Sequence, residues 1–283
     1  MLVRRIKAQH PSVRDDIADL ITRRPLPGPK IAQIDPFLFL NHHGPQTYPA
    51  NNRGLPFGPH THRGFETVTF ILDGSLSHSD SGGHESVIYA GGVQWMTAGR
   101  GIVHAELSPD EFKQAGGPLE ILQLWVNLPS RLKMTAPRYI GLQREQIPSI
   151  GTDNDRVNIN LIAGTYGGRT GPIRSLLGIT MMTIEFSAGA RLELAVPASQ
   201  SIFLYVVKGE LEIDAHKVHE HHLIEFDDGC EILEIFAHSN ASILFGHADP
   251  IGEPVVAHGP FVMNTREEIM QAIRDYQDGK FGE

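Results

Sequence analysis

The chain has 283 residues and a mass of 31.2 kDa, which suits one large or two medium domains. Hydrophobic residues make up 41% and charged residues 20%, a globular composition that excludes wholesale disorder. Lys plus Arg number 24 against 33 Asp plus Glu, a net charge of −9. A surface this acidic repels phosphate backbones and argues against direct nucleic-acid binding as the main role.

In chain order, the opening MLVRRIKAQHP has early positive charge but no apolar stretch after it, unlike a secretory signal. No later run approaches the ~18 apolar residues of a membrane span. The cytoplasm is therefore the expected compartment. Strand-like runs follow at Glu66–Leu72, Ser86–Tyr89, Val93–Thr97 and Leu119–Leu128. A second series comprises Ile179–Phe186, Ile202–Val207, Glu210–Ile213, Leu223–Phe226, Ile232–Phe236 and Ala241–Phe245. Twenty-nine glycines and 19 prolines punctuate these runs as turns would. The clearest helical pattern is Asn264–Tyr276, where Thr265 and Glu268 are spaced as a capping box and Ile269, Ile273 and Tyr276 share a face.

The two strand series look like a repeat. FETVTFILDGSL at 65–76 and QSIFLYVVKGEL at 200–211 are each a β-rich run, a charged residue plus Gly, and a short strand. Superposing Gly74 on Gly209 sets an offset of 135 residues. The expectation is an all-β protein of two related domains, residues 1–134 and 135–283, with Thr135–Gly171 as the crossover.

The strongest chemical signal is His60 with His62. Residues at i and i+2 on a strand point to one face, about 6–7 Å apart, so two imidazoles can converge on one ion. His104 and Glu106 repeat that spacing. A neighbouring strand carrying them would complete a three-His, one-Glu centre with open positions on a six-coordinate ion. Alone, such a histidine pair is also satisfied as ordinary hydrogen-bonded side chains; two matched pairs would be costly to bury unliganded. His219–His222 (HEHH) offers a rival site, against a solvated hairpin turn. There is no GxSxG, HExxH or P-loop. Cys230, the only cysteine, permits no internal disulfide and has no reactive pattern around it.

The segment from Gly54 (GxxxxxHxHxxxE, then Gly74) resembles the first cupin motif with one extra residue, and GRGIVHAE at 99–106 resembles the second. DPFLFL at 35–40, PHTHRGFETVTFILDG at 59–74, QWMTAGRGIVHAE at 94–106, LQLWVNLP at 122–129 and GPFVMNT at 259–265 resemble pirin segments in the same order. The resemblance to pirins implies two tandem cupin (jelly-roll) β-barrels with a short C-terminal helix. It implies one iron in the N-terminal barrel, held by His60, His62, His104 and Glu106, and a metal-free C-terminal barrel. The repeat agrees, since His60, His62 and Glu66 fall on Ala195, Pro197 and Ser201. Glu66 takes the usual cupin-ligand position, which pirins do not use; it is expected around the ligands or in a purely structural charge role. Where many pirins carry acidic and aromatic residues after DPFLFL, this chain has Asn41, His42 and His43. That segment would lie near the pocket mouth or form an exposed turn.

The resemblance further implies a quercetin 2,3-dioxygenase-type oxidoreductase. It would cleave a flavonol with O2 and release carbon monoxide, with Glu106 as the base. Fe(II) is the expected metal, and the ligand set would also accept Ni, Mn, Co, Cu or Zn. The alternative is a non-enzymatic, metal- and redox-responsive regulator that binds a metabolic enzyme or transcription factor. Phe57, Arg63, Gln94 and Met96 are candidates for the substrate pocket. Which face of Val93–Thr97 lines the barrel is left open, and Arg63 could equally hold a carboxylate partner behind the ligands or form a surface salt bridge. Each barrel can be satisfied within one chain, so a monomer is expected.

Overall fold

In Phe65–Asp73, alternate residues face opposite sides of the sheet, and a tight turn at Gly74 leads into Ser75–Asp80. Gly74 sits at φ +83°, and a Cβ there would lie 2.7 Å from the Pro118 carbonyl oxygen. Its counterpart Gly209, between Ser201–Lys208 and Glu210–Ile213, sits at φ +85° with the Asn240 oxygen at 2.4 Å. Both positions demand glycine, for conformation and for space. The two hairpins of the sequence repeat are thus built alike.

The protein, a computed structural model, is described over residues 3–227 and 229–281. It divides into two compact units. One holds Arg14–Arg23, Phe37–Arg144 and the chain from Ile251 on; the other holds the chain up to Val13, Arg24–Pro36 and Glu145–Pro250. Each unit gathers segments distant in sequence, and the terminal segments fall in the opposite unit from the one a cut at residue 134 would give.

In the first unit one sheet orders Val93–Thr97, Phe65–Asp73, Gly117–Asn127 and Phe37–Tyr48, and a second orders Phe57–His62, Ile102–Leu107, Ser75–Asp80 and Glu85–Tyr89. In the second unit the same succession recurs. His222–Phe226, Ser201–Lys208, Ala241–Ala248 and Thr180–Phe186 form one sheet, and Arg191–Ala195, Ile232–Ala237, Glu210–Ile213 and His216–His219 the other. This is the paired-sheet order of a jelly roll, twice. Apart from short 3-10 turns, the helices among the described residues are Asp110–Ala115 and Arg266–Gln277. The second opens on the expected capping box of Thr265 and Glu268. Among the described residues no helix is long and apolar enough to cross a membrane.

Within Thr135–Gly171 the chain passes from one unit to the other between Arg144 and Glu145, and the segment carries the strands Arg138–Leu142, Ser149–Thr152 and Val157–Ala163, the last buried along most of its length. Polar and glycine-rich flanks hid that apolar run. One expectation is corrected: Asn41–His43 is not an exposed turn. It lies buried inside the 12-residue strand Phe37–Tyr48, and Gly44 at φ +85° marks a register shift against Gly117–Asn127. A glycine that reads as a turn serves here in a β-bulge.

The interiors differ. The second unit is filled with apolar side chains, among them Leu192, Leu194, Leu204, Leu233, Ile235 and Phe245. The first is apolar at one end, where Leu20, Ile71, Leu76, Leu119 and Ile121 cluster. Further along the same inward faces of its strands, the side chains become polar and aromatic.

Candidate metal centre

The site begins with strand pairing. Phe57–His62 runs antiparallel to Ile102–Leu107, with His104 opposite His60 and Ile102 opposite His62. Facing residues on paired strands share a side of the sheet, so three imidazoles meet. Their ring centroids lie 4.3 Å (His60–His104), 4.9 Å (His60–His62) and 5.0 Å (His62–His104) apart. One nitrogen from each falls within 4.8 Å of the others.

Hydrogen bonds prepare two of these rings. Nδ1 of His60 lies 2.8 Å from the Gly58 carbonyl and Nδ1 of His62 lies 3.4 Å from that of Pro260. An N–H donated there leaves Nε2 of each ring with its lone pair free. His104 is buried with neither ring nitrogen hydrogen-bonded among the described residues. Burial, then the neighbouring His60, hold the pKa of His62 down to about 3; burial and the other imidazoles push His104 well below its usual range. Neutral rings with unshared lone pairs are what a transition-metal ion requires, and an ion would satisfy the orphaned His104. The donor set therefore fits a divalent cation.

Glu106 is not part of this cluster of three. Its carboxylate accepts the Thr69 hydroxyl at 2.9 Å and the Gln123 amide at 2.6 Å. Around His62 the barrel wall is aromatic: Phe65 at 5.1 Å and Trp125 at 5.3 Å between centroids, with Phe39 stacked on Trp125 at 4.6 Å. His78 stacks on Tyr139 at 3.9 Å and lies 5.4 Å from His104.

The other candidates separate by face. Thr69 pairs with Gln94 and Thr67 with Met96, so Gln94 and Met96 share the face whose Thr69 reaches Glu106. Phe57 packs on the apolar end, its ring 5.2 Å from His43. Glu66 projects to the opposite face from Thr69, where it accepts the Thr97 hydroxyl at 2.6 Å and burial raises its pKa. It stands apart from the imidazoles, which corrects the placement beside the ligands. Arg63 is also corrected as a pocket residue. As the residue after His62 it turns the other way, donating to Asp275 at 2.8 Å and to the Arg100 carbonyl at 2.5 Å, with its guanidinium 4.5 Å from the Phe281 ring centre. His42 is fully buried and bonded to Glu120 at 2.8 Å, and Nδ1 of His43 lies 2.8 Å from the Thr22 hydroxyl. His219–His222 spans the end of one strand and the start of the next, with His221 at φ +63° in the turn. Thr69, Gln123, Phe39, Trp125 and His78 escape sequence reasoning because strand register alone brings them to the site. Their one local signal is alternation, with Gln123 and Trp125 sharing a strand face.

Two jelly-roll barrels of one topology, one of which gathers a convergent imidazole trio, define a bicupin. Residues 19–126 match the pirin family and residues 181–282 the pirin C-terminal cupin domain. A Pseudomonas aeruginosa protein named as a candidate quercetin 2,3-dioxygenase is 39% identical over 248 residues, 88% of this chain and 87% of that one. A pirin-like protein of Solanum lycopersicum is 39% identical over 267 residues, 93% and 87% of the two chains. The crystal structure of quercetin 2,3-dioxygenase from Acinetobacter baumannii superposes with a TM-score of 0.92 at 31% identity, covering 99% of each chain. The chain belongs to the pirin family.

Proposed function

We propose that the protein is a metal-dependent dioxygenase that opens the central ring of flavonols such as quercetin with O2, releasing carbon monoxide. The observation that carries this reading is the convergence of His60, His62 and His104, the first half-buried and the other two buried and held in the neutral form, beside an aromatic wall. His60, His62 and His104, with Glu106 as the fourth ligand, would hold Fe(II) or another first-row divalent ion. That ion supplies Lewis-acid polarisation of a flavonol oxygen and electron transfer to O2. Trp125 and Phe39, both half-buried, offer flat apolar faces on which a planar polycyclic substrate stacks, with the buried Phe65 packed against Trp125. Glu106, 3% exposed, stands ready to take the hydroxyl proton of the flavonol. The apolar end of the barrel excludes bulk water from the reacting oxygens. The likeness to the Acinetobacter baumannii enzyme over 99% of the chain supports the same reading.

Anaerobic reconstitution with Fe(II), Ni, Mn, Co, Cu and Zn in turn, followed by O2 and a flavonol, tests it. Flavonol consumption with stoichiometric CO is expected from at least one metal. No turnover with any of them rejects the activity.

A further inference from the structure

Resting on that reading for the identity of the ligands, we infer that Thr69 and Gln123 form a latch that holds the Glu106 carboxylate off the imidazole cluster and makes it an exchangeable ligand. Thr69 and Gln123 lie directly opposite one another on neighbouring strands. Their side chains form a two-pronged donor facing Glu106, which reaches them from the other sheet. The Thr69 hydroxyl takes one carboxylate oxygen at 2.9 Å and the Gln123 amide the other at 2.6 Å. Thr69 and Glu106 are 2% and 3% exposed, so water is a poor substitute for the Thr69 hydroxyl.

The geometry of ligation sets the contrast. Metal–ligand bonds of about 2.0–2.2 Å keep any two ligand atoms on one ion within about 4.4 Å of each other. The three histidines come within 4.8 Å of one another and Glu106 is not among them. In this arrangement the carboxylate belongs to the latch. Both donors are neutral, so they satisfy the carboxylate without cancelling its charge. Each oxygen keeps a lone pair. Glu106 can therefore leave or join the ligand set without becoming an orphaned buried anion. Thr69 and Gln123 are positioning residues that act through Glu106.

The test uses the full chain and Co(II) alone, with affinity and visible spectrum as readouts. The variants are T69V and Q123L together, T69S, and E106Q in the wild-type and doubly substituted backgrounds. Valine is isosteric with threonine and suited to a strand, so T69V removes the hydroxyl with little change of shape. Without the latch, ligation by Glu106 no longer has to displace hydrogen bonds to a charged carboxylate, so Co(II) is expected to bind about tenfold tighter, with a shifted d–d spectrum. Both changes should vanish when E106Q is added, and T69S should behave as wild type. Unchanged or weaker binding in the T69V/Q123L protein, or a gain that survives E106Q, overturns the latch. A wild-type chain that binds no Co(II) overturns both the latch and the metal centre. The titration contains neither flavonol nor O2, so its outcome is read separately from turnover.

Discussion

His62 carries the balance of the site in one ring. Burial denies it a proton, and a neutral imidazole is the form that binds metal. Its pKa of about 3 lies below the ordinary 6.5, so between those values the unfolded chain takes up a proton that the folded chain refuses. The stability associated with the neutral ring is then present above pH 6.5 and is lost as pH falls toward 3. His104, lowered in the same direction, adds to the slope. Urea melts of metal-free protein should give a lower midpoint at about pH 4.5, inside this window, than at about pH 7, above it; equal midpoints would contradict the assignment. His60→Ala should lose stoichiometric metal by elemental analysis while retaining its β circular dichroism, and undiminished metal content would remove His60 from the ligands. The three histidines were legible because i, i+2 spacing on a strand is a local property. Thr69 and Gln123 were not, since their meeting with Glu106 depends on which strands pair and in what register.

Among the elements, the turn after His62 is held by the C-terminal segment. Gly64 sits at φ +91°, and a Cβ there would lie 2.0 Å from the Val262 carbonyl oxygen. Lys133, 1% exposed, donates to the carbonyls of Gly64 and Val262 and to the Asn127 side chain, at 2.7–3.0 Å. Arg63 is clamped by Asp275 of the last helix and lies over Phe281, and its bond holds the Asp275 carboxyl down to about 2. Gly64→Ala should destabilise by about 2–4 kcal/mol and weaken metal binding through His62. A thermal transition within error of wild type would show that Val262 yields freely. Asp275→Asn should cost about 2 kcal/mol, read as a lowered thermal midpoint; an unchanged midpoint would mean that Phe281 and the Arg100 carbonyl suffice for Arg63. The helix itself was legible, because Thr265 and Glu268 state its start within four residues. The strand Phe37–Tyr48 was not. Its Asn-His-His-Gly sequence has turn composition, and pairing with Gly117–Asn127 overrides that preference.

At the scale of the whole chain, one topology has been used twice with different contents. The repeat was visible because the glycine of each hairpin is obligatory, at φ +83° and +85°. The boundaries of the units could not be read so directly, because their segments interleave along the chain. Apolar side chains, leucines and isoleucines foremost, fill the second barrel, so its stability is expected to be indifferent to metal. Metal supplied at a hundredfold excess over its Kd should stabilise the first unit by about 2.7 kcal/mol. Calorimetry with and without a chelator checks this, and superimposable scans would exclude a metal bound to the native state.

Both tryptophans, Trp95 and Trp125, belong to the same unit as the imidazoles. They project to opposite faces of their sheet, and only Trp125 touches His62, at 5.3 Å between ring centres. The chain thereby carries its own optical gauge. A cation with unpaired electrons lodged among the three rings should dim the emission of Trp125, so filling can be followed in real time without a dye or a label.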